Sequence, residues 1–326
     1  FKMINTVRAT VLSIANKNNY GYITPSDFNL YAKQAQLDIF EDYFYQYNSW
    51  IIKQNARVSG SEYADILKGL VEVIDSFSET RGLINNGINL YNLPENYYLI
   101  NKINYYPNSI FSSTSTAAGL NTLTDTNATF VTTGTVKPGQ FISNTSSSSV
   151  SAGFGAYIIS VDSETQLTLS GNPFGTASTV GNSYTIVTTA GIREIERVSQ
   201  NKIFYLNSSS LTSPNVSYPA YVLGGGTNIA IGNTITVYPD TITGAGKILS
   251  QYIRYPLDPN WTYSTLTGGE PVFDEGAADY QDFELPDSDE PNLVNKILQY
   301  AGVSIRENDI ATFGNIQEQE DNQQQS

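Results

Sequence analysis

The 326 residues contain no cysteine and no histidine. Those two absences remove disulfides, thiol nucleophiles, zinc sites of the usual ligand types and every Ser-His or Cys-His relay. Any catalysis would have to rest on carboxylates, lysine, tyrosine or a cation held by oxygen. A cysteine count of zero assigns no compartment, but it leaves stability to packing or assembly. No run of about 18 apolar residues occurs, so no membrane span is expected. Residues 1–18, FKMINTVRATVLSIANKN, lack the continuous apolar segment and small-residue cleavage site of a signal peptide, so export by the usual route is not expected. Basic residues are scarce too: 17 Lys and Arg stand against 31 Asp and Glu, a net charge of -14 and a pI near 4.3. Such a surface repels nucleic acid over most of its area, which argues against a DNA-gripping role. The acidity reads either as solubility or as a wall past which polyanions slide without sticking.

What is present is ample for a globular core, with 40% hydrophobic and 15% charged residues. The length suggests two or three domains, unless one large β unit absorbs much of it. Ile4, Val7, Val11 and Ile14 recur at three- and four-residue spacing, which predicts an amphipathic helix ending near NKNNYGY. Thr24, Pro25 and Asp27 then form a start signal: a capping hydroxyl, a proline at the first helical position and an acid in the first turn. No Pro or Gly follows until about Asn55, so the second helix runs near thirty residues, about 45 Å at 1.5 Å per residue. Within it, Phe28, Tyr31, Phe40, Tyr43, Phe44, Tyr45 and Tyr47 do not keep to one stripe. One face of such a helix needs cover from its own domain, and another from a second copy or a different protein. The alternative is a helix sandwiched inside one domain. ARVSGS breaks the pattern, and Glu62 to Phe77 predicts a further helix with Tyr63, Ile66, Leu67, Leu70, Val71 and Ile74 inward.

From LPENYYLINKINYYPN (93–108) the pattern turns extended, with Pro94, paired tyrosines and β-branched residues. Residues 112–187 are dense in Ser, Thr, Gly and Asn, and Lys137 is their one basic residue. Short strands alternate with turns: Leu167 and Leu169 alternate with hydroxyl residues in QLTLSG, and VKPGQ is a tight turn. SNTSSSSVSAGFG reads as an exposed loop. REIERVSQNKIFYLN, YPAYVLGGGTNIAI, TITVYPD and KILSQYIRYPLDP continue in strands, and the segment from Asn96 to Tyr106 is expected to complete their sheet across the block. No Lys or Arg lies between Arg254 and Lys296, while acids accumulate from Asp258 to Glu290. EPNLVNKILQYAGVSI predicts a helix with Leu293, Ile297, Leu298 and Ala301 on its apolar face. QEQEDNQQQS has no apolar content and is expected to order only on a partner.

No motif carries chemistry. DYQDFELPDSDE lacks the twelve-residue Ca²⁺ loop with its central glycine, so it reads as a solvated or partner-facing acidic surface. A glycosidase pair of carboxylates there needs a spacing that sequence cannot fix. VLGGGTNIAIGN has no following GKS or GKT, so Gly224 to Gly226 read as a hairpin turn. Trp261 and the tyrosines around Pro256 read as core or interface anchors, with sugar stacking as the other option. No cofactor or metal is expected. With 23 Tyr, the chain carries much amphipathic aromatic surface, a feature of interfaces.

Three stretches together resemble the neck and tail ring proteins of tailed phages, especially the head-to-tail connector proteins of podovirus-like, crAss-like phages. They are VLSIANKNNYGYITPSDFNLYAKQAQLDIFEDYF (11–44), YPLDPNWTY (255–263) with FELPDSDEPNLVNKILQYAGVSIRE (283–307), and the β module LTDTNATFVTTGTVKPGQFISN with ISVDSETQLTLS. The resemblance implies an α+β virion protein without catalytic activity, made in the bacterial host cytoplasm and residing in the neck or tail. It implies a homo-oligomeric ring, with a dodecamer as a candidate symmetry, adjoining the portal, further tail rings or fibres, through which DNA passes without specific binding. The organisation expected is a helical assembly region with antiparallel helices over 1–92, a β body over 93–111 and 188–265, and a β module inserted at 112–187. An acidic linker, short C-terminal helix and disordered tail occupy 266–326. Tyr31, Phe40, Tyr43, Phe44, Tyr47 and Trp50 are expected between subunits, and Leu293, Ile297 and Leu298 at the docking of a partner. Two rival readings stand beside this one: a tail-fibre or adhesin protein binding host glycans through the β block, as a trimer, and a tail-borne carboxylate glycosidase using an acid in 270–290.

Overall fold

The computed structural model describes residues 2–15, 23–56, 64–119, 121–146, 154–174, 181–188, 190–224, 233–244 and 246–305. The side chains of 50–56, 64–68, 118 and 303–305 lie outside that description, as do the expected loop at 147–153, Gly225, Gly226, Tyr63 and the tail at 306–326. The protein is mixed α and β, and its chain divides into two units: Phe1–Phe77 with Tyr255–Ser326, and Ser78–Arg254. The helical unit therefore draws on both ends of the chain, and it stops at Phe77 rather than at residue 92. No helix among the described residues is long and apolar enough to cross a membrane.

The first unit begins with α1 (Met3–Ala15), α2 (Pro25–Ala56) and α3 (Ala64–Ser76). Thr24 caps α2: its hydroxyl accepts the Asp27 N–H at 3.2 Å and its carbonyl accepts the Phe28 N–H at 2.9 Å, satisfying donors that a helix start leaves open.

The second unit holds the strands β1 (Ser78–Gly82), β2 (Ile84–Asn85), β3 (Leu90–Asn92), β4 (Tyr97–Tyr105), β5 (Ser109–Thr114), β6 (Ala117–Gly119), β7 (Thr122–Thr124), β8 (Phe141–Asn144), β9 (Gly155–Val161), β10 (Gln166–Leu169), β11 (Ser183–Val187), β12 (Arg193–Glu194) and β13 (Glu196–Arg197). Helix α4 (Gln200–Asn207) follows, then β14 (Ala220–Leu223), β15 (Thr234–Tyr238) and β16 (Ile248–Arg254). A four-stranded sheet, β1-β16-β4-β12, and a five-stranded sheet, β13-β14-β15-β3-β2, share one apolar cluster that includes Tyr91, Ile103, Tyr221, Ile235, Val237 and Ile248. Within it, β4 pairs antiparallel with β16, Tyr105 opposite Ile248.

Between β4 and β12 in sequence, seven strands make an antiparallel sheet ordered β5-β11-β8-β9-β10-β7-β6. Alternation decides its faces: Leu123, Ile142, Ile158, Leu167, Leu169, Tyr184 and Ile186 enter one buried cluster, whereas Phe141 and Val187 pack on Tyr106 and Leu249 of the body. Gly155 is required here because a Cβ would stand 2.0 Å from the Phe141 ring. In VKPGQ, Gly139 takes φ +86°, a conformation that side-chain-bearing residues resist.

Two carboxylates pin the turns of this sheet. Glu164 accepts the N–H groups of Val131 and Thr132, at 3.0 Å each, and the Thr132 hydroxyl. Asp162 accepts the Ser160 and Thr168 hydroxyls at 2.6 Å each. These donors, the Thr132 side chain first for Glu164 and the Ser160 hydroxyl first for Asp162, hold both groups below the ordinary carboxylate range. A lowered folded-state pKa means stability that is complete above the unfolded value and lost as pH falls through the folded one. Acidification from neutral to below about pH 4 should thus lower the melting temperature of the wild type. Glu164→Gln should lower it at neutral pH and flatten that acid dependence. An unchanged acid slope in the variant would mean that Glu164 contributes nothing to it.

The sequence placed QNKIFYLN in a strand, and the structure makes it α4. Ser199 caps the helix by accepting the Lys202 N–H at 3.3 Å, and Ile203 with Leu206, spaced i and i+3, anchors it on the body. Residues 78–92, expected in the helical region, form β1 to β3; strands of two to five residues carry too little periodicity to be told from loops. Residues 255–265, expected in the β body, belong to the helical unit, because Pro256 and Pro259 end the ladder of β16.

The chain returns to the helical unit with the hairpin β17 (Tyr263–Thr265) and β18 (Pro271–Phe273), a 3-10 turn at Asp287–Asp289, and α5 (Glu290–Ile305). Helix α5 packs on α1 and α2, and α3 packs on α2.

Candidate assembly surfaces

One face of α2 is committed to its own unit. Phe28, Ala32, Ala35, Gln36, Ile39, Phe40 and Tyr43 are buried, at the three- and four-residue spacing of a helix face. The Phe40 ring meets Phe44 and Phe77 edge-on, each at 5.1 Å, and the Tyr255 ring at 6.0 Å. The Tyr43 hydroxyl donates to Asp289, and burial, followed by that carboxylate, pushes its pKa well above the usual phenol value. Phe40 and Tyr43 are thus consumed by the chain's own packing, which corrects the expectation that they meet a neighbouring subunit. The same correction applies to Leu293, Ile297 and Leu298, which have no exposed surface. They dock α5 onto α1 and α2 of the same chain rather than onto a partner, and the Tyr300 hydroxyl reinforces this by donating to Asp38.

The acidic segment 255–289 is a belt laced to the helices by side-chain amides. Gln36, 1% exposed, donates through Nε2 to the Leu257 carbonyl at 2.7 Å and accepts the Glu284 N–H through Oε1 at 3.1 Å. Asn29 accepts the Trp261 N–H at 2.9 Å, and its Nδ2 donates to Asn260 Oδ1 at 2.7 Å. The Trp261 indole N–H donates to Asn5 on α1 at 3.1 Å, and the Arg8 guanidinium lies 3.7 Å from the Trp261 ring centroid. Tyr263 and Phe273 stack on Trp261 at 5.7 and 5.9 Å.

Of the carboxylates read from sequence as a solvated or partner-facing surface, Asp279 and Asp287 are exposed, and others serve the same purpose. Asp258 pairs with Lys33 at 2.6 Å, Asp282 accepts the Ile4 N–H at 2.8 Å, and Glu284 accepts the Leu257 N–H at 2.7 Å. Burial and Asp282 together push Tyr280 up to about 12.

The remaining surface of α2 is where aromatics stay uncovered. Tyr31, Phe44 and Tyr47 are half-buried and Tyr45 is 73% exposed; the Trp50 side chain lies outside the described residues. On α3, Leu70, Val71, Val73 and Ile74 are all only half-buried. An amphipathic helix whose apolar row stays half-wet leaves apolar area available to another surface.

No family model matches the sequence, and no curated protein matches it either.

Sequence reasoning missed a second exposed apolar region, on α4 and the turn after it. Phe204, Tyr205, Leu211 and Tyr218 are 73–92% exposed. A signal existed: large apolar residues spread through a stretch of turn formers (SSSLTSPN) have no partner nearby in sequence. The belt amides were legible in part as well, since Gln36 interrupts the apolar face formed by Ala32, Ala35, Ile39 and Phe40.

Proposed function

We propose that the chain is a structural subunit of a ring in the head-to-tail connector of a tailed phage, and that its helical unit supplies the contact between copies. The observation that carries this reading is the surplus on α2 and α3. After the unit's own core is filled, Tyr31, Phe44, Tyr45 and Tyr47 on α2 and the row Leu70, Val71, Val73 and Ile74 on α3 remain wholly or partly open. Amphipathic tyrosines of this kind are the residues that obligate and long-lived interfaces favour. In this reading the seven-stranded sheet is an inserted module of the β body, turned toward the outside or toward the next ring. The net charge of -14 gives the assembled conduit an acidic lining that repels DNA and lets it pass without being held. Heterologous contacts between identical copies close into rings, which suits a surface made of two different helices.

Negative-stain electron microscopy of the purified protein, alone and mixed with its portal, tests the proposal. Closed rings are expected in at least one sample, and their subunit count gives the symmetry. Replacing the exposed Tyr45 and the half-buried Tyr47 by serine is expected to abolish the rings, with the helical circular dichroism signal retained as the check that the unit still folds. Trimers would replace this reading with a fibre protein. Monomers in both samples, or rings that survive the double substitution, would refute the assignment of the contact.

A further inference from the structure

Helix α4 carries more aromatic surface than its folding requires. Ile203 is its buried residue, set against Val198, Ala220 and Val222, with Leu206 packed beside it. Two anchors one turn apart suffice to seat a helix of eight residues. Phe204 and Tyr205, by contrast, are 75% and 73% exposed.

Between α4 and the β14–β15 pair runs an open groove of about 490 Å³, with Ile203 and Val222 on its floor. That volume falls within the range of about 300–1,000 Å³ typical of small-molecule sites. The rings of Phe204 and Tyr238 line it, together with the amides of Gln200 and Asn207 and the hydroxyls of Ser208 and Thr236. Among the described residues that line it, none carries a charged side chain. Gln200 is oriented by donating through Nε2 to the Leu223 carbonyl at 3.2 Å, which leaves Oε1 as an acceptor. Thr236 donates to the Gly224 carbonyl at 2.9 Å and keeps its oxygen lone pairs for a further donor.

The lining selects among ligand classes. A phosphate or carboxylate ligand needs a cation or a nest of N–H groups, and the described lining residues include no cation. A purely apolar ligand would cover Gln200, Asn207, Ser208 and Thr236 without answering their hydrogen bonds, which costs free energy. A neutral sugar matches both halves: its C–H face lies on an aromatic ring, and each hydroxyl donates once and accepts once, which amides and hydroxyls answer. We infer that the α4 groove binds a neutral saccharide, with Phe204 as the stacking platform and Gln200 and Asn207 reading the hydroxyls. The inference does not rest on the ring reading, because every described residue that lines the groove belongs to one chain.

The test uses the full chain and two defined probes, chitotriose and maltotriose, followed by saturation-transfer NMR and calorimetry. At least one trisaccharide is expected to bind. Phe204→Ala should weaken that binding by roughly tenfold or more, and Asn207→Ala should weaken it as well. Tyr205→Ser, beside the groove but outside it, should bind as the wild type does. The substituted residues are exposed, so folding is not at stake, and unchanged circular dichroism checks this. Absence of transfer to both trisaccharides, or wild-type affinity in Phe204→Ala, would overturn the inference. So would a change in oligomeric state in Phe204→Ala without saccharide binding, which would make the groove a protein contact.

Discussion

Trp261→Ala is expected to lower the stability of the helical unit by about 3–5 kcal/mol, the range for deleting a buried large aromatic. The side chain is 2% exposed and is used on every side. Its indole N–H is spent on Asn5, its face on Arg8, and its flanks on Tyr263 and Phe273. Removing it also takes away the Asn5 hydrogen bond and the Arg8 ring contact, so the loss exceeds that of area alone. Denaturant unfolding followed by the helical circular dichroism signal measures the effect. The other tryptophan, Trp50, is a second reporter on the same unit, since α2 contains it. A loss below about 1 kcal/mol would mean that the belt is held by its backbone contacts alone.

Gln36→Leu should also lower stability, although leucine is close to glutamine in size. Leucine fills the space but can neither donate to the Leu257 carbonyl nor accept from the Glu284 N–H, and losing the two bonds costs about 1–3 kcal/mol together. Gln36→Glu separates the two bonds. A carboxylate still accepts from Glu284 N–H but cannot donate to the Leu257 carbonyl, and it adds charge beside Glu284. The glutamate variant should therefore recover stability on mild acidification, as protonation restores a donor, whereas the leucine variant should not. Equal stability of wild type and leucine variant in the same denaturant series would show that water replaces both amide bonds.

The parts of the fold that the sequence disclosed are those with local causes. Thr24, Pro25 and Asp27 announce the start of α2, and Leu167 and Leu169 announce a half-buried strand, because capping and pleat alternation act over a few residues. Helix α4 escaped because eight residues rich in aromatics resemble a strand, and only the Ser199 cap and the Ile203–Leu206 spacing tell otherwise. The belt escaped for a different reason. Its bonds join residues 221 to 278 positions apart, as from Gln36 to Leu257 and from Ile4 to Asp282, and no periodicity encodes such pairings.

The candidate surface was half legible. The excess of aromatics on α2 is a matter of composition, but which of them the unit keeps for itself is a matter of register. Ala32 and Ala35, both with no exposed surface, mark the face where α2 is closely packed, and they place Phe28, Ile39, Phe40 and Tyr43 inside. Tyr31 and Tyr45 fall off that face, whereas Phe44 and Tyr47, one turn beyond Phe40 and Tyr43, continue it and are only half-buried.

The helical unit is made from the first 77 residues and those after Arg254, and this sets an order of events during synthesis. At about 5–20 residues per second, the ribosome needs roughly 9–35 s to add the intervening Ser78–Arg254. For most of that interval α1 and α2 are outside the tunnel while the belt and α5 have yet to be made. The β unit can fold in the meantime, but the nascent helices need a chaperone's shelter or each other. The core of the helical unit is thus completed only once α5 has followed the β unit out of the ribosome.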